Sequence, residues 1–323
     1  MSKNKKNYVS FDQSNISIPK TRERRKLPKP ALKAALPHVI IKIPAMRCYC
    51  SVYHKFRTQR SAERKAGAFL DNQTTSSRKR IHLLDEIRGF AVLCMIFYHG
   101  FYSLAILFEL DWGMALLRFF MPAEPFFAGL FIFISGISSN LSHSNLLRGV
   151  KLLGIALAVS LVTFLAVPSQ VIVFGILHFL SICMILFGLL RPLQEKIPLF
   201  FGIVLSIILY LCTMQVSMGI FAFGIPLPDM LYQTNWLSPL GFHNAEFFSS
   251  DYFPLLPWAF VFSAGTFVGR WAAQGKFPQW MYPCRIPPLS WMGRHALILY
   301  IVHQPVIIGV CTAVEWIMGV LAG

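Results

Sequence analysis

Charge is what this sequence lacks first. Only 14% of its 323 residues are Asp, Glu, Lys or Arg, while 55% are hydrophobic. With a mean hydropathy of +0.55, the chain is too apolar for a soluble globule. A cysteine framework is missing as well. The seven cysteines (48, 50, 94, 183, 212, 284 and 311) are odd in number, scattered, and mostly set in apolar segments. Without paired CxxC spacing, neither a zinc site nor a disulfide scaffold is implied. No Gly-x-Ser-x-Gly elbow, HExxH, phosphate-binding Gly-rich loop or dinucleotide fingerprint stands where it could work. Hydrolase, metalloprotease, nucleotide-hydrolysing and dinucleotide-dependent chemistries lose their usual signatures, and no metal is expected.

What charge there is lies at one end. Residues 1–80 hold 20 of the 30 Lys/Arg and 4 of the 14 Asp/Glu, so this segment accounts for the whole net charge of +16. Residues 81–323 are neutral overall, which removes nucleic acid as the expected partner. Clusters such as Arg22, Arg24, Arg25, Lys26 and Lys29 are mixed with Pro, Ser, Asn and Gln, a composition that buries too little apolar surface to offset ordering. Residues 1–80 therefore read as a largely disordered cytoplasmic tail. The stretch around Val39–Ile43 is too short, and too broken by Lys42, for a secretory signal. A start at Met46 is compatible with the same reading. A basic tail beside a membrane also attracts anionic lipid.

Apolar runs then dominate. Spans are expected at about 87–108, 117–140, 150–167, 171–190, 198–216, 253–272 and 295–319, each near the length that crosses a bilayer. The reading is an all-α bundle of about seven membrane helices over residues 81–323. With the tail inside, one set of loops carries Arg148, Lys151, Arg191, Lys196, Arg270, Lys276, Arg285 and Arg294. The other set carries Glu109, Asp111, Glu124, Asp229, Glu246 and Asp251, with Arg118 as the exception to the positive-inside rule. Residues 217–252 form the longest loop after the tail, a length more often found in lids and binding loops than in connectors.

Ionisable groups inside a membrane cost roughly 2.5–3.5 kcal/mol each on insertion scales. Arg88 and His99 lie eleven residues apart on the first helix, which puts them within about 20° of one face and about 16 Å apart along the axis. Arg88 sits at the inner surface, His99 deeper. Histidine can act there as a proton acceptor; an interhelical hydrogen bond is the bland alternative. His178 on the fourth helix, and His303 with Gln304 on the seventh, are further polar groups. Pro305 frees the carbonyl of Ile301. The small polar run Ser135–Asn140 reads as close helix packing.

Arg80–Gly100, Phe131–Ser138, Val173–Phe179, Asp251–Trp258 and Gly293–Pro305, taken in order, resemble the heparan-alpha-glucosaminide N-acetyltransferase catalytic-domain family. The likeness is to its short bacterial branch, within the transmembrane acyltransferase superfamily. The resemblance implies transfer of an acetyl group from cytoplasmic acetyl-CoA to an extracytoplasmic sugar amine or hydroxyl, at a bacterial-type plasma membrane. Lysosomal members carry their catalytic histidine in the loop after the first helix. Residues 100–124 contain none, and His99 falls where those proteins have a polar residue within the helix.

The expected catalytic set is His99, Arg88 and Asp85, with Asp85 orienting Arg88 one turn away. Arg148, Lys151 and Arg294 would join Arg88 in holding the CoA phosphates. Asp251, Tyr252, His178, His303 and Gln304 would face the acceptor. Membrane lipid and a glycan or other small acceptor are the expected partners, with oligomerisation open. A carrier or flippase using the same polar groups, and a structural protein with a lipid-binding tail, are the competing readings.

Overall fold

The computed structural model describes residues 79–322; the basic segment of the preceding residues lies outside them. Nine α-helices of eight residues or more are found among the described residues. They are α1 (His82–Tyr102), α2 (Asp111–Phe120), α3 (Glu124–Ser139), α4 (Asn145–Ala166), α5 (Ile176–Lys196), α6 (Leu199–Thr213), α7 (Leu255–Ala273), α8 (Pro287–Arg294) and α9 (Ala296–Ala322). A two-residue hairpin, β1 (Ile220–Phe221) against β2 (Ile225–Pro226), pairs antiparallel in the long loop.

Among the described residues, six stretches are long and apolar enough to cross a membrane: His82–Leu107, Asp111–Ser139, Asn145–Ala166, Ile176–Gln194, Leu199–Met218 and Ala296–Val320. Their side chains point outward where a soluble protein would bury them, as Leu161, Phe164 and Leu165 of α4 and Phe200 and Phe201 of α6 do. This is an integral membrane protein. The segment expected at 253–272 is helical too, as α7, but Leu256 has non-helical backbone angles near its start and Arg270 closes its last turn. The Arg270 guanidinium donates to the carbonyl of Ile197 at 2.7 Å. The segment expected at 117–140 begins earlier and is broken. Pro122 and a turn of 3-10 helix over Met121–Ala123 separate α2 from α3, because proline removes a backbone donor and fits only a first turn.

Helices α3, α6 and α7 pack in one group, with Gly136 of α3 against the backbone of α7 at Phe262 and Gly265. Helix α1 packs on α8, α3 and α9, and α4 packs on α5, which in turn reaches α3 and α7. The main core gathers Phe174, Leu177, Phe179 and Leu180 at and beside α5 with Phe262 of α7 and Tyr300 of α9.

The tightest contact joins α1 to α8. A Cβ on Gly89 would lie 1.9 Å from the Leu289 carbonyl oxygen, and one on Gly293 would lie 1.8 Å from that of Asp85. The two backbones touch because neither glycine has a side chain. Glu86 completes the junction. Its buried carboxylate accepts the backbone N–H groups of Arg285 and Ile286, at 2.6 and 3.0 Å. Those donors precede α8 and have no partner within that helix, so Glu86 caps it from another helix.

Candidate active site

Along α1, Leu84, Asp85 and Arg88 line one cavity, and Ala91, Val92, Met95, Tyr98 and His99 line a second. The 3.6-residue period turns all of them to one side. Helix α3 does the same, with Ser135 and Ser138 in the first cavity and Glu124, Phe127 and Ala128 in the second.

The first cavity is a wide cleft of about 1090 Å³. Lys79, Arg80, Arg88, Arg148, Lys151 and Arg294 line it, with Asp85 as its one carboxylate. Asp85 is committed to holding two arginines. Its Oδ2 accepts from Arg80 Nε at 2.6 Å and its Oδ1 from Arg88 Nη1 at 3.2 Å. The bond from Asp85 raises the Arg80 pKa further. Arg88 Nη2 donates to Ser138 Oγ, which in turn donates to the Ile134 carbonyl. The guanidinium is thus oriented from α1 and α3 together. The expected positioning of Arg88 by Asp85, and the gathering of Arg148, Lys151 and Arg294 beside them, are what this geometry contains. Such a cluster suits a ligand with several phosphate charges.

The second cavity, about 170 Å³, is lined by Tyr98, His99, Glu124, Phe127, Phe131, Ile176, Ser250, Asp251, Tyr252, Phe253 and Tyr300, among others. Here Asp251 and Tyr252 come together with His99. Asp251 also caps α5, accepting the Ile176 N–H at 3.0 Å on Oδ2. Gly175 leaves room for it, since a Cβ there would lie 2.3 Å from that oxygen. The Tyr300 hydroxyl donates to the same carboxylate. Burial pushes the Asp251 carboxyl above its ordinary range, against the opposing pull of these two donors. Burial likewise raises the Tyr252 phenol, which stays protonated and donates to the Ser238 carbonyl at 2.7 Å.

The remaining expected residues stand one layer back. His303 packs its ring 5.0 Å, centroid to centroid, from that of His99. Its Nδ1 contacts the Tyr300 carbonyl. A carbonyl can only accept, so Nδ1 carries a proton, and in the neutral ring Nε2 then keeps its lone pair. That Nε2 is buried without a partner among the described residues. Gln304 donates to Ser103 Oγ at 3.0 Å, tying α9 to the π-helical turn Ser103–Leu107 that follows α1. His178 stacks on Phe174 and faces Ser160 at 3.4 Å. It lines a small void shared with Gly175 and Tyr300.

Sequence reasoning missed Glu124, Phe131 and Tyr300. Glu124 reads as a loop acid after Pro122, yet it starts α3 and faces the second cavity. Phe131 and Tyr300 read as ordinary apolar-helix aromatics. They are the two residues common to the linings of both cavities.

The basic cleft and the histidine pocket are therefore neighbouring cavities, both lined from α1, α3, α5 and α9, with Phe131 and Tyr300 in the walls of both. Comparison with protein families gives a match over residues 80–305 to a model described as heparan-alpha-glucosaminide N-acetyltransferase, catalytic. No curated protein and no solved structure matches the chain.

Proposed function

Because the chain belongs to the heparan-alpha-glucosaminide N-acetyltransferase catalytic family, we propose that it moves an acetyl group from CoA in the basic cleft to a sugar amine or hydroxyl in the histidine pocket. The observation that carries this reading is the division of labour along one helix face. Arg88 belongs to the chamber of cations and His99 to the chamber of hydrogen-bonding groups.

The CoA phosphates sit against Arg88, Arg148, Lys151 and Arg294, and the pantetheine arm runs past Leu177, Leu180 and Leu297 toward Tyr300. In the second chamber the acceptor's nitrogen or oxygen attacks the thioester carbonyl while His99 takes its proton. The carbon–sulfur bond then breaks, and His99 returns the proton to the departing thiolate, giving free CoA and acetylated acceptor. General-base help of this kind is worth typically 10²–10⁴-fold. Asp251 and Tyr252 orient the acceptor, and His303 supports His99 from behind. Membrane lipid surrounds the bundle, and the acceptor is a glycan or another small molecule.

Purified protein given acetyl-CoA and a panel of amino and hydroxyl sugars should release free thiol and acetylated sugar in equal amounts. Neither product would sink the reading and favour a carrier. Within the active reaction, Arg88→Ala is expected to raise the KM for acetyl-CoA roughly 10-fold or more, the scale of a lost charged hydrogen bond. The kcat should change little, because the phosphates bind alike in ground and transition states. An equal fall in kcat would instead place Arg88 at the chemistry.

Direction follows from the charge asymmetry of the loops. The cleft faces the cytoplasm, and the loop over residues 217–252 lies beyond the membrane. A thiol introduced at Asn235 should react with an impermeant reagent from the extracytoplasmic side. Reaction from the cytoplasmic side alone would reverse the topology.

A further inference from the structure

The two chambers differ greatly in size, at about 1090 and 170 Å³, and share only Phe131 and Tyr300 among their lining residues. The smaller one has to receive the acceptor. A thioester threaded from the cleft arrives acyl end first, so every carbon beyond its carbonyl takes up space that the acceptor needs. One wall of the junction is fixed. Tyr300 is 9% exposed, its hydroxyl is bonded to Asp251, and its carbonyl receives His303. The other wall is Phe131, half-buried on α3 and packed against the apolar core around Phe179. Its ring has no polar anchor, so it acts by bulk alone.

Resting on the proposed acyl transfer, we infer that Phe131, closing against an immobile Tyr300, determines which acyl chains the protein transfers. The pair admits an acetyl group and rejects chains of four or more carbons. One extra methylene against a fixed wall is worth about 10–200-fold in discrimination. A butyryl donor, longer by two carbons, should therefore react at least about 10-fold more slowly than acetyl.

The test compares acetyl-CoA and butyryl-CoA transfer by the full-length protein and by Phe131→Ala, with Phe131→Leu as the milder variant should the first fail to fold. Folding is checked by elution as a single detergent-solubilised species. The butyryl-to-acetyl ratio of kcat/KM should rise at least about 10-fold in the variants, because space opens where the extra carbons lie. Phe131→Trp should lower acetyl transfer while acetyl-CoA still binds. An unchanged ratio in a folded variant, or a wild-type protein that uses both donors equally, overturns the assignment to Phe131 while leaving acyl transfer in place. If the wild-type protein transfers neither acyl group, the acyltransferase reading fails and the filter fails with it.

Discussion

His99→Ala is expected to cut acetyl transfer by at least about 10²-fold while acetyl-CoA still binds. The argument is positional. His99 opens on the smaller chamber, and its ring neighbour His303 has its Nδ1 proton committed to the Tyr300 carbonyl. Removing the imidazole takes away the proposed base in the smaller chamber and leaves the cations of the larger one, proposed to bind phosphate, untouched. Steady-state rates read the first effect, and direct titration of acetyl-CoA reads the second. His99→Gln separates chemistry from shape, since the amide keeps polarity but cannot take a proton. It should be nearly as slow as alanine. Wild-type rates in a folded His99→Ala would move the base to His303, whose Nε2 is the next free lone pair. His178→Ala should have the smaller effect, because that ring lines a separate small void and not the smaller chamber.

Gly293→Ala should be the most damaging single methyl in the fold. Its Cβ has no space, at 1.8 Å from the Asp85 carbonyl oxygen, and the neighbour is backbone that cannot rotate away. Overpacking of this kind costs about 1–3 kcal/mol or more. The loss is also functional, because α8 ends at Arg294 and Asp85 holds both Arg80 and Arg88. Pushing α8 off α1 displaces half of the cleft's cations. Thermal unfolding should show the destabilisation, and the fraction that folds should have a raised KM for acetyl-CoA. Gly154→Ala is the control. A Cβ there meets nothing within 4 Å, and alanine in place of a helical glycine is worth up to about 1 kcal/mol of added stability. If both variants unfold alike, the α1–α8 contact is not what holds the cleft together.

Much of this site could be read from spacing, and the reasons for the rest are physical. Arg88 and His99 were legible because a helix face is a fixed function of residue number. Asp251 and Tyr252 were legible because they open the stretch Asp251–Trp258, where the long loop runs into an apolar span and the family resemblance resumes. Glu124 was not, since its inward turn depends on the 3-10 break at Met121–Ala123, and nothing in a lone Pro122 says how the chain rotates after it. Phe131 and Tyr300 were hidden among the many aromatic residues of apolar helices. Only the meeting of α1, α3, α5 and α9 makes those two a junction. The histidines show the same limit from the other side. Sequence marks His178 and His303 as polar groups in apolar helices, but the roll of each helix against its neighbours decides whether a ring lines the cavity or backs it. Among the described residues, six of the seven expected spans match, in order, stretches long and apolar enough to cross a membrane, and the one at 253–272 does not. The extra turns of α2 and the irregular start of α7 were not legible in the sequence.

The clamp between α1 and α8 also governs how the protein is made. Glu86 emerges from the ribosome about two hundred residues before its partners, the N–H groups of Arg285 and Ile286. Contacts so distant in sequence form late and slowly. Until α8 is made, the first helix has neither the backbone donors that Glu86 accepts nor the surface that fills the groove at Gly89. A chain that stops short of α8 lacks the partners that Glu86 and Gly89 have in the folded protein, so α1 is completed only by the far end of the sequence.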